Sequence, residues 1–207
     1  MVDALPPVTT VPLPRRPLDP SDQVRRWYED WYENELGWPT VPGSPLGLRL
    51  GLRFDVLDMP AEAGRAALRH LAPGSPVALR GDRMRLLVAA GSAEELPGVL
   101  AWLEWGALAL DLTATGEGGL MDAPEPPGAG LPGGRPLPLG RHGTPQGAAV
   151  WLRPPEPGCE VEASLPTLSA LGGGGGAPDL VRLVDTLATQ CHRLRLRRVC
   201  AQPLAFS

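Results

Sequence analysis

Between Leu48 and Val56 every second residue is apolar: Leu48, Leu50, Leu52, Phe54 and Val56 alternate with Arg49, Gly51, Arg53 and Asp55. A period of two sorts side chains onto two faces only if the backbone is extended, so the segment is predicted to be a strand. Met59-Pro60 interrupts the pattern, and 61–71 reads as a helix. Val77–Arg80 and Met84–Ala89 are two short apolar runs joined around Gly81-Asp82, a spacing that predicts a tight hairpin.

Further elements surround this pair. Asp19-Pro20 has the form of an N-cap followed by proline in the first helical position. The helix it opens puts Val24, Trp27, Tyr28 and Trp31 on one face, and Gly37 ends it. Ser92-Ala93-Glu94-Glu95 forms a capping box for a helix through Leu96, Val99, Leu100 and Trp102. Leu108–Thr113 is predicted as a strand, with Leu120–Asp122 pairing back after a glycine turn, and 148–153 as the last strand. Asp179 caps a final helix whose Leu180, Leu183, Val184, Leu187, Cys191 and Leu194 share a face. The expected fold is α+β, a mainly antiparallel sheet packed by helices.

Proline and glycine, 26 of each, concentrate between these elements. Residues 1–18 read as a flexible Pro-rich tail, 19–153 as the α+β domain, 154–178 as a Pro/Gly-rich linker and 179–207 as a C-terminal helix with a basic end. The run Gly172–Gly176 lacks the lysine and hydroxyl ending of a phosphate-binding loop and fits a linker better.

All 19 basic residues are arginine, and the chain has no lysine, no isoleucine and one asparagine, Asn34. This is the codon signature of a GC-rich genome rather than a selection for guanidinium chemistry. The net charge of −4 counts against a sequence-independent nucleic-acid binder, which gains affinity by neutralising phosphates. Cys159, Cys191 and Cys200 match no zinc or disulfide spacing. No stretch approaches the ~18 apolar residues of a membrane span, so a cytoplasmic protein without membrane contact is expected.

Four segments, in order, carry a family resemblance. Trp27–Pro42 with its WYENELGWPTVP stretch, Leu50–Ala67 with its strand and carboxylates, the hairpin Pro76–Val88, and Leu108–Pro127 followed by Trp151-Leu152 together resemble the bifunctional DNA primase–polymerase domain, a fold of the α+β primase–polymerase kind. The resemblance covers residues 22–153. It implies nucleotidyl transfer by divalent Mg or Mn, held by two acids one residue apart on the first strand and one acid from a later strand. It also implies a histidine in the hairpin, against the nucleotide's phosphates.

The sequence departs from that pattern. Asp58 matches the first acid, but Pro60 stands in the second position; Asp111 matches the later acid, and the hairpin Gly81–Leu86 holds no histidine. Asp55 is a further acid, three residues from Asp58 and so on the opposite face of a strand. Candidate metal ligands are therefore Asp58 and Asp111, with Asp55 a third candidate for catalysis. Candidate phosphate or nucleic-acid contacts are Arg83 and Arg85, two apart on one strand face, and Arg193, Arg195, Arg197 and Arg198 at the end of the last helix. Each set has a plainer reading: a solvated strand face, and cations offsetting a helix dipole.

The leading expectation is a non-catalytic primase–polymerase-like binding or regulatory module with a protein or nucleic-acid partner and no cofactor. A weak metal-dependent nucleotidyltransferase using Asp55, Asp58 and Asp111 is the enzymatic alternative. A structural interaction protein using its tail and last helix is the third.

Overall fold

A computed structural model describes residues 20–127, 148–168 and 177–200. The proposed tail 1–18, Asp19, most of the 123–147 loop and the run Gly172–Gly176 lie outside the described residues.

The chain enters as α1 (Pro20–Asp30), which widens into a π-helical turn, Trp31–Glu35. It continues through β1 (Thr40–Val41), β2 (Gly47–Arg49), β3 (Phe54–Pro60), α2 (Ala61–Ala67), β4 (Val77–Arg80), β5 (Arg83–Ala89) and α3 (Ser92–Trp102). β6 (Thr113–Thr115), β7 (Leu120–Asp122), β8 (Ala149–Arg153) and α4 (Leu180–Cys200) complete it. Two sheets form, with orders β1-β2-β7 and β6-β3-β5-β4-β8, and every strand pairing is antiparallel. This is a mixed α+β fold with antiparallel sheets packed by helices.

The five-stranded sheet buries apolar side chains on both faces. Leu57 and Met59 of β3 and Met84, Leu86 and Val88 of β5 meet α2, α3 and α4 on one side. Phe54, Val56, Leu87 and Ala78 turn the other way, toward Leu48 and Met121 of the small sheet and an aromatic cluster. Trp38 is the hub of that cluster, with ring centroids 4.5 Å from Phe54, 6.2 Å from Tyr32 and 6.3 Å from Trp151. The Tyr32 hydroxyl donates to the Pro124 carbonyl at 2.6 Å and accepts from Trp151 Nε1 at 3.0 Å, so the buried phenol is satisfied.

Several sequence expectations change. The alternating run 48–56 is two strands, because Gly51 (φ +86°) turns the chain between them and sends each half to a different sheet. A Cβ there would lie 2.3 Å from Glu117 Cα, so only glycine fits. Strand β3 then runs through Met59-Pro60, which was expected to break it. On α1 the π-helical turn shifts the side-chain phase: Tyr32 is buried with Trp31, while Val24 and Trp27 stay exposed. Residues 108–112 are not a strand, and β7 pairs with β2 rather than back on that segment. Within 154–178, the described part includes a 3₁₀ turn, Val161–Ser164, and the fully buried Leu165. The 77–89 hairpin forms as expected. Asp179 Oδ1 accepts from the Val181 and Arg182 N–H groups and so caps α4. Among the described residues no helix is long and apolar enough to cross a membrane.

Candidate functional site

β3 is the central strand, paired to β5 with Asp58 opposite Arg85 and Pro60 opposite Arg83, and to β6 with Asp58 opposite Thr113. Alternation along β3 puts Asp58 on the same face as Phe54 and Val56, beyond the edge of the aromatic cluster, with its side chain 20% exposed. Asp55 belongs to the helix-covered face with Leu57 and Met59. The enzymatic alternative needs both carboxylates in one pocket, and the register separates them.

Asp58 instead sits in a guanidinium clamp. Arg83 Nε donates to its Oδ1 at 2.6 Å, and Arg85 Nε donates to its Oδ2 at 3.0 Å. Arg83 also reaches across to Asp111, with Nη1 2.5 Å from Oδ1. One planar cation thus ties together the two carboxylates that the family resemblance assigns to metal. Burial alone would lower the Arg83 pKa; hydrogen bonds and charge from Asp111 and Asp58 outweigh it and raise it. Arg83 and Arg85 do share a strand face and do grip a carboxylate, but it is the protein's own. Among the described residues no group of three or more histidine, cysteine, aspartate or glutamate side chains is placed to hold a metal ion.

Asp111 lies in the loop before β6. Its backbone carbonyl accepts from the Cys191 thiol at 3.4 Å, and its Oδ2 stands 3.6 Å from Arg198 Nη1. Two further arginines of α4 are exposed side chains with contacts to the chain itself. Arg195 Nη1 donates to the Ala109 carbonyl at 2.6 Å, and Arg197 pairs with Glu62 of α2 at 2.8 Å. Arg193 is exposed. The basic end of the helix is therefore largely a set of ties to α2 and to 109–111. The neighbours of the histidines are structural too: His70 contacts Arg69 and Thr186, His192 packs on Trp105, and His142 lies outside the described residues.

Asp55 has a role that the sequence pattern does not reveal. Fully buried, it accepts from the Ala93 N–H through Oδ2 at 2.9 Å and so caps α3 from a distant strand. The residue in the N-cap position is Gly91 (φ +88°), so the expected Ser92 cap moves inside the helix. Gly116 completes the arrangement: a Cβ there would come within 2.8 Å of Ala93 Cβ and 3.1 Å of Asp55 Oδ2. Asp55 Oδ1 is buried and meets no hydrogen-bonding partner among the described residues. Burial raises the carboxyl above its ordinary 3.8, against the opposing pull of the Ala93 and Gly91 N–H groups.

A pH dependence follows. Just above 3.8 the folded chain keeps a proton that the unfolded chain has lost, so stability declines as pH rises through that window. Asp55→Asn keeps a capping oxygen without titrating. Its stability relative to the parent should rise as pH is raised from about 4 to about 7, read by urea unfolding of both proteins. A difference that stays flat over the series would remove the buried-carboxyl account.

The fold and the site thus define an antiparallel α+β protein with an arginine-bridged carboxylate pair, one acid on the central strand of its main sheet and one in the loop before β6. No protein family, curated protein or solved structure matches the chain.

Proposed function

We propose that this chain is a non-catalytic, primase–polymerase-like module that works by binding a macromolecular partner. The observation that carries the reading is Arg83, whose guanidinium occupies the space between Asp58 and Asp111 that a divalent ion would need. A bound cation at that point has to displace a fixed positive charge and break three short contacts, so affinity for Mg or Mn is lost on electrostatic grounds. The missing hairpin histidine and the turned-away Asp55 act in the same direction.

A protein partner suits the surface better than nucleic acid. The net charge is −4, while Trp102 and Leu152 leave large apolar side chains in solvent.

The test is binding of labelled single-stranded DNA at two salt concentrations, with and without Mn²⁺ and nucleotides, beside affinity capture from the source cell. The expected result is no metal- or nucleotide-dependent binding, and capture of a partner that survives Asp111→Asn. Binding that requires Mn²⁺ and nucleotide and disappears in Asp111→Asn would restore the nucleotidyltransferase reading.

A further inference from the structure

A cleft of about 250 Å³ opens beside the carboxylate–arginine cluster, between the last turns of α4 and the 109–111 segment. Its floor is apolar, built from Pro60, Leu110 and Leu194, with the Cys191 thiol among them. That thiol is uncharged at neutral pH, because burial, the largest cause, and the nearby Asp111 push its pKa up to about 11. The cleft's polar lining is Arg195 and Arg198, three apart on α4 and so on one side of the helix, together with Asp111, whose charge is already engaged by Arg83.

Neither guanidinium is saturated by the contact it makes. Arg195 spends one nitrogen on the Ala109 carbonyl. Arg198 stands 3.6 Å from Asp111 Oδ2, an ion pair longer than a hydrogen bond, while Asp111 Oδ1 is held by Arg83 at 2.5 Å. An arginine has five N–H donors in a fork suited to planar or tetrahedral anions.

The local charge has the same sense. Around the cleft and the adjoining cluster stand four guanidiniums (Arg83, Arg85, Arg195, Arg198) and two carboxylates (Asp58, Asp111), which leaves two positive charges uncompensated. Arg197 and Glu62 alongside cancel each other. In a chain whose net charge is −4, this is a local reversal of sign.

We infer that the cleft binds a small organic anion, with a carboxylate or phosphate head between Arg195 and Arg198 and an apolar body on Pro60, Leu110 and Leu194. The volume lies below the roughly 300–1,000 Å³ of drug-sized sites, so the body is of about single-ring size. Polar groups at the rim and apolar groups at the floor divide the work: the arginines set the sign and the floor selects against a bare ion. The inference stands apart from the proposed macromolecular binding, since it needs neither a partner nor the family resemblance.

The experiment is a calorimetric titration of the full chain with phenyl phosphate, benzoate, inorganic phosphate and benzyl alcohol, with no metal, DNA or other protein present. Phenyl phosphate or benzoate is expected to bind at least about tenfold tighter than inorganic phosphate, with benzyl alcohol silent. Arg198→Gln should weaken that binding about tenfold, the loss of one charge-assisted contact. The Arg198 side chain is 65% exposed, so this variant keeps the fold, which an unchanged melting temperature would verify. Arg182→Gln removes the same charge from a side chain 79% exposed at the other end of α4 and should leave binding intact. Binding of both aromatic anions assigns the site to anionic heads in general, and binding of phenyl phosphate alone assigns it to phosphate. Absence of binding, equal affinity for inorganic and phenyl phosphate, or indifference to Arg198→Gln would each overturn the assignment. None of these results bears on whether a macromolecular partner is captured.

Discussion

Replacing Trp38 by alanine should lower folding stability by about 3–5 kcal/mol, the range for deleting a buried tryptophan. The side chain is 2% exposed and contacts rings from three separate parts of the chain. Tyr32 comes from the π-helical turn, Phe54 from β3 and Trp151 from β8. Removing the indole therefore opens a cavity where the small sheet, the end of α1 and the main sheet meet, and rigid strands limit how far that cavity can close. Chemical denaturation measures the loss, and near-ultraviolet circular dichroism should show the coupled ring signals collapse with it. A loss under about 1.5 kcal/mol would mean that the cluster repacks around the gap and that Trp38 is not its hub.

Asp58→Ala is the second large effect, at about 2–4 kcal/mol. Asp58 is 20% exposed, and the side chains around it, Arg83 and Arg85, are 29% and 15% exposed. Without the carboxylate, Arg85 loses its ion-pair partner, and one of its nitrogens, Nη1, is already buried with no hydrogen-bonding partner among the described residues. Arg83 retains Asp111 alone. Most of the cost is thus that of stranding charge away from water, and the double variant Asp58→Ala/Arg85→Leu should recover a good part of it. Equilibrium unfolding of the single and double variants decides the matter: if the second substitution adds its own loss instead of restoring stability, the two residues are not coupled. The same result bears on the proposed function, because a carboxylate kept for its arginine contacts is needed for folding whether or not a metal binds.

What could be read in the chain before its structure was known depended on how local the cause was. The Gly81-Asp82 hairpin and the Asp179 cap arise from residues within a few positions of each other, and both stand where they were expected. The alternating run 48–56 divides because Gly51 turns the chain without disturbing the alternation: Leu48 lies in the small sheet and Phe54 and Val56 in the main one, and all three are buried in the one core between the sheets. Leu108–Thr113 alternates in the same way, yet Asp111 lies in a loop held by Arg83, 28 positions earlier, and by the Cys191 thiol and the arginines of α4, 80 or more positions on. In the candidate site, Arg83 and Arg85 could be placed on one face from the hairpin alone. Their engagement with Asp58 required the β3–β5 register, which no local signal carries. Asp55 as the cap of α3 is a through-space assignment of the same kind, hidden behind a capping box that looked sufficient by itself.

The late position of α4 has a consequence for how the molecule is made. Its Leu183, Val184, Leu187 and Cys191 complete the core that covers Leu57, Met59, Met84 and Leu86, all encoded about a hundred residues earlier. On the ribosome, β3, β4 and β5 emerge and can pair while that covering helix is still unsynthesised. At the ~5–20 residues per second of translation, the apolar underside of the sheet waits for several seconds before its lid arrives. During that interval the nascent chain presents a surface suited to chaperones and to neighbouring nascent chains alike. Truncation before α4 would make the wait permanent.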